Sequence, residues 1–179
     1  MRGDGTAEAN VDDPLASGVL TAALVAAAVT DLRFQRIPNW LTGSALLAGL
    51  AIHTWAAGLE GLGYSAAGGL VGFALLVFFF LAGAMGGGDV KLMAAIGTLK
   101  GAWFVLHAAF YAGLVGGALA LSVMIWHGTL WRNLKNLGKS VYTALHPRKK
   151  RIPLGELSQE RIPFGLAISL GGLWALWVV

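Results

Sequence analysis

The chain has 179 residues, of which 56% are hydrophobic and 12% charged, with no cysteine and a formal net charge of +4. So little charge cannot cover a water-soluble globule of this size, and apolar runs approaching twenty residues point to an all-α, polytopic membrane protein. The missing cysteines exclude disulfides, thiolate zinc sites and cysteine nucleophiles, and the clustering of basic residues in one connection suits an anionic lipid surface better than nucleic acid.

The N-terminal stretch MRGDGTAEANVDDP is acidic, whereas a signal peptide opens with basic residues. It reads as a disordered lead over residues 1–14. Residues 15–179 read as one membrane-embedded domain that includes a basic connection over 127–161. Apolar windows fall at 15–30, 39–57, 66–85, 90–99, 103–126 and 162–179, so about six transmembrane helices are expected. The fourth window is too short to cross roughly 30 Å of hydrocarbon unaided. It is expected to be a tilted or partly sunken helix surrounded by protein.

Orientation follows from the connections. Arg33 and Arg36 follow the first span, Lys91 follows the third, and Arg132, Lys135, Lys139, Arg148, Lys149, Lys150, Arg151 and Arg161 follow the fifth. If the short fourth segment counts as a crossing, these all lie on one side, which should be the cytoplasm. The other side then carries Arg2 and Lys100 with Asp4, Glu8, Asp12, Asp13 and Glu60. Small residues four apart, such as Gly68 with Gly72 and Gly113 with Gly117, would let helices approach closely in lipid. In TLWRNLKNLGKSVYTALH (129–146), Leu130, Leu134, Leu137, Val141 and Leu145 recur at helical spacing, with Arg132, Lys135 and Lys139 mostly on the other face. That pattern predicts a basic amphipathic helix in the headgroup layer.

Charged residues at membrane spans are costly and therefore functional candidates. Asp31 ends the first span in VTDLRFQRIPNW, and Asp89 opens the fourth in GGGDVKLM. One span runs inward and the other outward, so both carboxylates reach the same membrane level. Two close carboxyls share one proton. The ionised member can deprotonate an attacking water while the protonated member donates to the scissile carbonyl oxygen. Each aspartate also has a plainer reading: Asp89 as a cap of the fourth helix, Asp31 as a juxtamembrane charge reaching water. The run Gly86-Gly87-Gly88 would permit backbone conformations closed to other residues and let a substrate strand come close.

The stretch Gly86-Gly87-Gly88-Asp89 reads as G-x-G-D, the signature of intramembrane aspartyl proteases. With DLRFQRIPNW upstream and IPFG at 162–165, the chain resembles the type IV prepilin peptidases from about residue 15 to its end. The resemblance implies Asp31 and Asp89 as the catalytic pair and Gly86 and Gly88 as flanking glycines. Lys91, Pro38 and Asn39 match motif positions. Pro38 reads as the first-turn proline of the second span, and Lys91 either as a cation acting on a neighbouring carboxylate or as a headgroup contact. Longer family members carry paired Cys-x-x-Cys motifs and a methyltransferase activity. This sequence matches neither, so it resembles the short members that serve Flp-type (tight-adherence) pili. The implied substrate is a prepilin with a short leader, cut at the cytoplasmic face of the bacterial inner membrane, with no metal, nucleotide or methyl donor. Leu166 departs from the proline that often follows Pro-Phe-Gly, and Thr30 stands where the presenilin-like branch has a tyrosine before its first aspartate.

His53, His107, His127 and His146 lack metal-ligand spacing and read as hydrogen-bonded membrane histidines. Ser44 and Ser65 have no base partner at their depth. The remaining alternative is a small transporter or pilus-assembly scaffold in which the two aspartates bind a proton or cation at a broken helix.

Overall fold

The computed structural model describes residues 13–126, 128 and 164–179. Among these, the regular elements are four helices: α1 (Pro14–Phe34), α2 (Asn39–Leu81), α3 (Gly87–Trp126) and α4 (Phe164–Val178). The first three are long and apolar enough to cross a bilayer, so this is an all-α, multi-pass membrane protein. The expected interfacial helix over 129–146, His127, His146 and most of the N-terminal lead lie outside the described residues. Residues up to 116 and from 163 onward form one unit, and 117–162 belong to a second. The packing below is that of the first unit.

Helix α1 starts one residue inside the expected lead. Asp13 caps it by accepting from Leu15 N–H at 2.9 Å, and Pro14 occupies the first turn, where its missing N–H costs nothing. The buried stripe Ala16, Leu20, Ala23, Leu24, Ala27 and Asp31 follows one face of the helix. Asp31 is therefore the inward-facing end of an otherwise apolar stripe. The helix ends at Gln35, which adopts a left-handed conformation (φ 50°, ψ 35°) and returns its N–H to Asp31 O.

A straight helix as long as α2 would run about 65 Å, twice the hydrocarbon thickness. It is broken instead at Ala57 and Gly58, where Gly58 takes φ 60°, ψ −133°, a conformation essentially restricted to glycine. The chain turns back there. The rings of His53 and Tyr64 lie 5.3 Å apart, whereas an unbroken helix would hold them about 16 Å apart. Helix α3 is broken in the same way at Gly101 (φ 82°, ψ 175°). Two unbroken and two broken helices thus make six helical segments, close to the expected apolar windows.

The short fourth segment, 87–100, is the centre of this unit. Val90 and every residue from Leu92 to Gly101 are buried. Protein rather than lipid surrounds it, which is how a helix too short to span is tolerated. Close approach is achieved through glycines: a Cβ on Gly68 would strike the backbone of Gly97 and Gly101, and one on Gly72 the backbone of Met93. The Gly68–Gly72 pair is thus a helix seam as expected. Among the described residues, nothing lies within 4 Å of a Cβ added at Gly113. Helix α4 packs on α1, with Gly172 against Leu24 and Ile96, and Gly171 against Ala112.

The end of this unit opposite Asp31 holds two departures from expectation. Lys100, expected in an outer connection, is only 2% exposed and donates through Nζ to Ser17 Oγ at 2.6 Å. It marks the far end of the fourth segment. His53 is buried with Nδ1 2.9 Å from Gly49 O, and among the described residues its Nε2 meets no hydrogen-bond partner, where a fully satisfied histidine is expected. His107 Nδ1 does meet Trp103 O at 3.0 Å. Trp40, Trp55, Trp103, Trp126 and Trp177 are exposed near helix ends or breaks, where an aromatic belt places them.

Candidate active site

Asp31 and Asp89 come to the same end of the unit. Helix α1 and the fourth segment run antiparallel, with Ser17 bonded to Lys100 at one end and the two aspartates at the other. Both are buried, at 6% and 8% exposure, and Ile37 lies against both Gly88, the residue before Asp89, and Gly165, which abuts Asp31.

Each carboxylate is seated on a helix N-terminus. Asp31 Oδ2 accepts from Leu166 N–H at 2.9 Å, and Leu166 lies in the first turn of α4. Helix starts leave amides unpaired and carry partial positive charge, so α4 supplies a resident donor for an anion. Asp89 sits in the first turn of its own helix and reaches back, its Oδ2 accepting from Gly86 N–H at 3.2 Å. This is the returning half of a capping box. The plain reading of Asp89 as a cap is therefore real, but it occupies one oxygen. Among the described residues no hydrogen bond engages Asp89 Oδ1 or Asp31 Oδ1.

The glycines act differently from expectation. Gly86, Gly87 and Gly88 are not among the positive-φ residues, whereas Gly83, before them, is (φ 74°). What matters is the absence of side chains. Gly88 lies against Ile37, whose Cβ would be 3.1 Å from an added Cβ. Gly86 supplies the amide that holds Asp89.

Pro38 precedes α2 as its N-cap rather than standing inside the first turn, with φ −65° and ψ 138°. Its carbonyl accepts from Leu41 and Thr42 N–H. Lys91 is exposed, and its ammonium donates to Asn39 Oδ1 at 2.9 Å rather than to a carboxylate. That bond ties the start of α2 to the first turn of α3 and makes the I-P-N and G-D-V-K stretches parts of one structure. Two residues escaped the sequence reading. Gly165, within the quoted IPFG, has its Cα against Asp31, where an added Cβ would lie 2.9 Å from Asp31 Cγ; Ile37, within I-P-N, would be 2.8 Å away through its Cδ1. The motifs flagged both, yet nothing local in sequence assigns them a neighbour. No group of three or more metal-ligating side chains occurs among the described residues.

The profile of the type IV leader peptidase family matches residues 18–121, more than half of the chain and a span that includes both aspartates. The chain belongs to the type IV leader peptidase family. Among curated relatives, the chain is similar to the prepilin leader peptidase/N-methyltransferase of Bacillus subtilis (strain 168), at 33% identity over 115 residues. That alignment covers 60% of this chain and 44% of the relative. The protein of the same name from Burkholderia pseudomallei (strain 1026b) is 32% identical over 123 residues, 65% of this chain and 39% of the relative. The chain therefore spans about two fifths of the length of the curated relatives it matches. No solved structure matches. The family profile takes in Gly86–Lys91 and Pro38–Asn39 but stops short of Gly165 and Leu166, which reach Asp31 by packing alone.

Proposed function

We propose that the protein is a membrane-embedded aspartyl endopeptidase that removes the leader peptide from a prepilin. The observation that carries this reading is the arrival of two buried carboxylates, distant in sequence, at one end of the same unit, each bonded through Oδ2 to a helix-start amide. Family membership supports the chemistry. With one proton shared between Asp31 and Asp89, the ionised carboxylate takes a proton from water as its oxygen attacks the scissile carbonyl carbon. The protonated carboxyl donates to the carbonyl oxygen. Collapse of the resulting diol returns a proton to the departing amine. Glycine-lined approaches at Gly88 and Gly165 bring backbone close to the pair.

The finer assignments follow from this reading. Six crossings are supported by the breaks at Gly58 and Gly101. Arg33 and Arg36 follow Asp31, and Lys91 lies close to Asp89 in sequence, so the positive-inside bias supports a pair at the cytoplasmic face of a bacterial inner membrane. The substrate is then a Flp-type prepilin, its basic leader in the cytoplasm and its apolar segment in the bilayer, cut just before the apolar run after a leader-end glycine. Anionic lipid is the membrane partner of the basic connection. Transport by the same aspartates is less well supported. Between Asp89 and Lys100 the fourth segment buries Leu92, Met93, Ala95, Ile96 and Leu99, side chains that relay no proton, and its buried hydroxyl, Thr98, donates to Ala95 O within the helix.

Co-expression with candidate prepilins, in cells without a second peptidase, tests the proposal by mobility shift and by sequencing the mature N-terminus. Asp31→Asn and Asp89→Asn are each expected to abolish processing while inserting normally. Full processing by either variant would remove that residue from the mechanism, and a cut on the outer side of the apolar run would overturn the orientation.

A further inference from the structure

We propose that Ile37 is the positioning residue of this site, a rigid apolar spacer that sets where Asp31 stands relative to Asp89. The inference rests on the peptidase reading for its kinetic consequence and on geometry for the spacing itself. Ile37 is half-buried in the short non-helical link between α1 and α2. It touches both halves of the site. On one side its main chain and Cβ lie beside Gly88, whose added Cβ would be 3.1 Å from Ile37 Cβ and 3.4 Å from its carbonyl oxygen. On the other, its Cδ1 lies beside Gly165, where an added Cβ would be 2.8 Å from Ile37 Cδ1 and 2.9 Å from Asp31 Cγ. One side chain thus bridges the turn that precedes Asp89 and the helix start that binds Asp31.

The residue type suits the task. Branching at Cβ leaves few χ1 choices, and the following Pro38 confines the Ile37 backbone to extended conformations. Pro38 is itself held, because its carbonyl accepts the first amides of α2, and Asn39 next to it is bonded to Lys91 in the turn that carries Asp89. The spacer is therefore anchored on the Asp89 side through its backbone and on the Asp31 side through its terminal methyl. Glycine at both 88 and 165 is what admits it.

Shortening the spacer should let Asp31 and the start of α4 relax toward the vacated volume while substrate contacts stay in place. The loss should fall on kcat, since misplacing a catalytic group by about 1 Å costs on the order of a hundredfold in rate. In the full chain, Ile37→Ala is expected to lower kcat tenfold or more, about 10- to 100-fold, with KM little changed. Ile37→Val removes only Cδ1, keeps the branch at Gly88, and should lose activity by an intermediate factor. Ile37→Leu, which retains δ-carbons, should recover part of it. Should the alanine variant fail to insert, the valine variant carries the test.

A second readout needs no cleavage. The chain has no cysteine, so an Asp31→Cys/Asp89→Cys pair can be cross-linked with a short thiol reagent without background. Adding Ile37→Ala to that pair should change the cross-linking rate markedly. Unchanged kcat in both shortened variants, an effect confined to KM, or a cross-linking rate indifferent to Ile37 would overturn the proposal. Cross-linking that depends on Ile37, beside a native chain that retains both aspartates yet cleaves no prepilin, would sink the peptidase reading while supporting the spacer.

Discussion

Gly165→Ala presses directly on Asp31. The added methyl would lie 2.9 Å from Asp31 Cγ, 2.9 Å from its Oδ2 and 2.8 Å from Ile37 Cδ1. Carbon atoms prefer separations of about 3.5–4.0 Å, so the carboxylate or the helix start must yield by about 0.6 Å or more. Neither has an easy escape: Asp31 is buried on the stripe of α1, and α4 is locked farther along by Gly171 on Ala112 and Gly172 on Leu24. Overpacking of this kind costs about 1–3 kcal/mol. Pulling Asp31 off Leu166 N–H also loses a hydrogen bond to a charged group, about 1.5–3 kcal/mol when the carboxylate is ionised. Since about 1 Å of misplacement is worth on the order of a hundredfold, Gly165→Ala should cut the cleavage rate about tenfold or more. Initial rates on a purified prepilin in detergent, read beside thermal unfolding, measure both consequences. Gly113→Ala is the control, because its methyl would meet nothing within 4 Å among the described residues. Gly165→Ala that cleaves at the wild-type rate would show that the packing of α4 on Asp31 does not matter to the reaction.

Lys91→Ala and Asn39→Ala should each lower stability by less than about 1 kcal/mol, because their bond is exposed. The double variant should cost no more than the larger single one, and strict additivity in a double-mutant cycle would deny the link. His53→Phe removes an Nε2 that has no partner among the described residues but also gives up the Nδ1 contact with Gly49 O, so it should cost no more than about 1 kcal/mol; a much larger drop in stability would count against an unsatisfied Nε2. Cleavage should survive a metal chelator in purified enzyme. Activity lost to chelator and restored by zinc would refute a mechanism that uses only water and two carboxylates.

The membrane class, the helical segments and the arrival of Asp31 and Asp89 at one end of the unit were legible in the residues alone. The reason is that hydropathy and charge report how each stretch partitions between lipid and water, and alternating crossings then bring span ends to common levels. The stretch GGGDVKL also announced a site, although the expected reason for its glycines, an unusual backbone, gave way to close packing. Partition says nothing about rotation of one helix against another or about what fills the space between them. Lys100 looked like a loop residue because its charge suits water, yet tertiary packing buries it on Ser17. Lys91 found Asn39 rather than a carboxylate. The amide of Leu166 reaches Asp31 from the far end of the sequence, and Ile37 enters the site only because Gly88 and Gly165 leave room on its two sides. Such contacts depend on the three-dimensional crossing of helices whose apolar surfaces are nearly uniform, and a uniform surface carries no sequence signal for the neighbour it will meet.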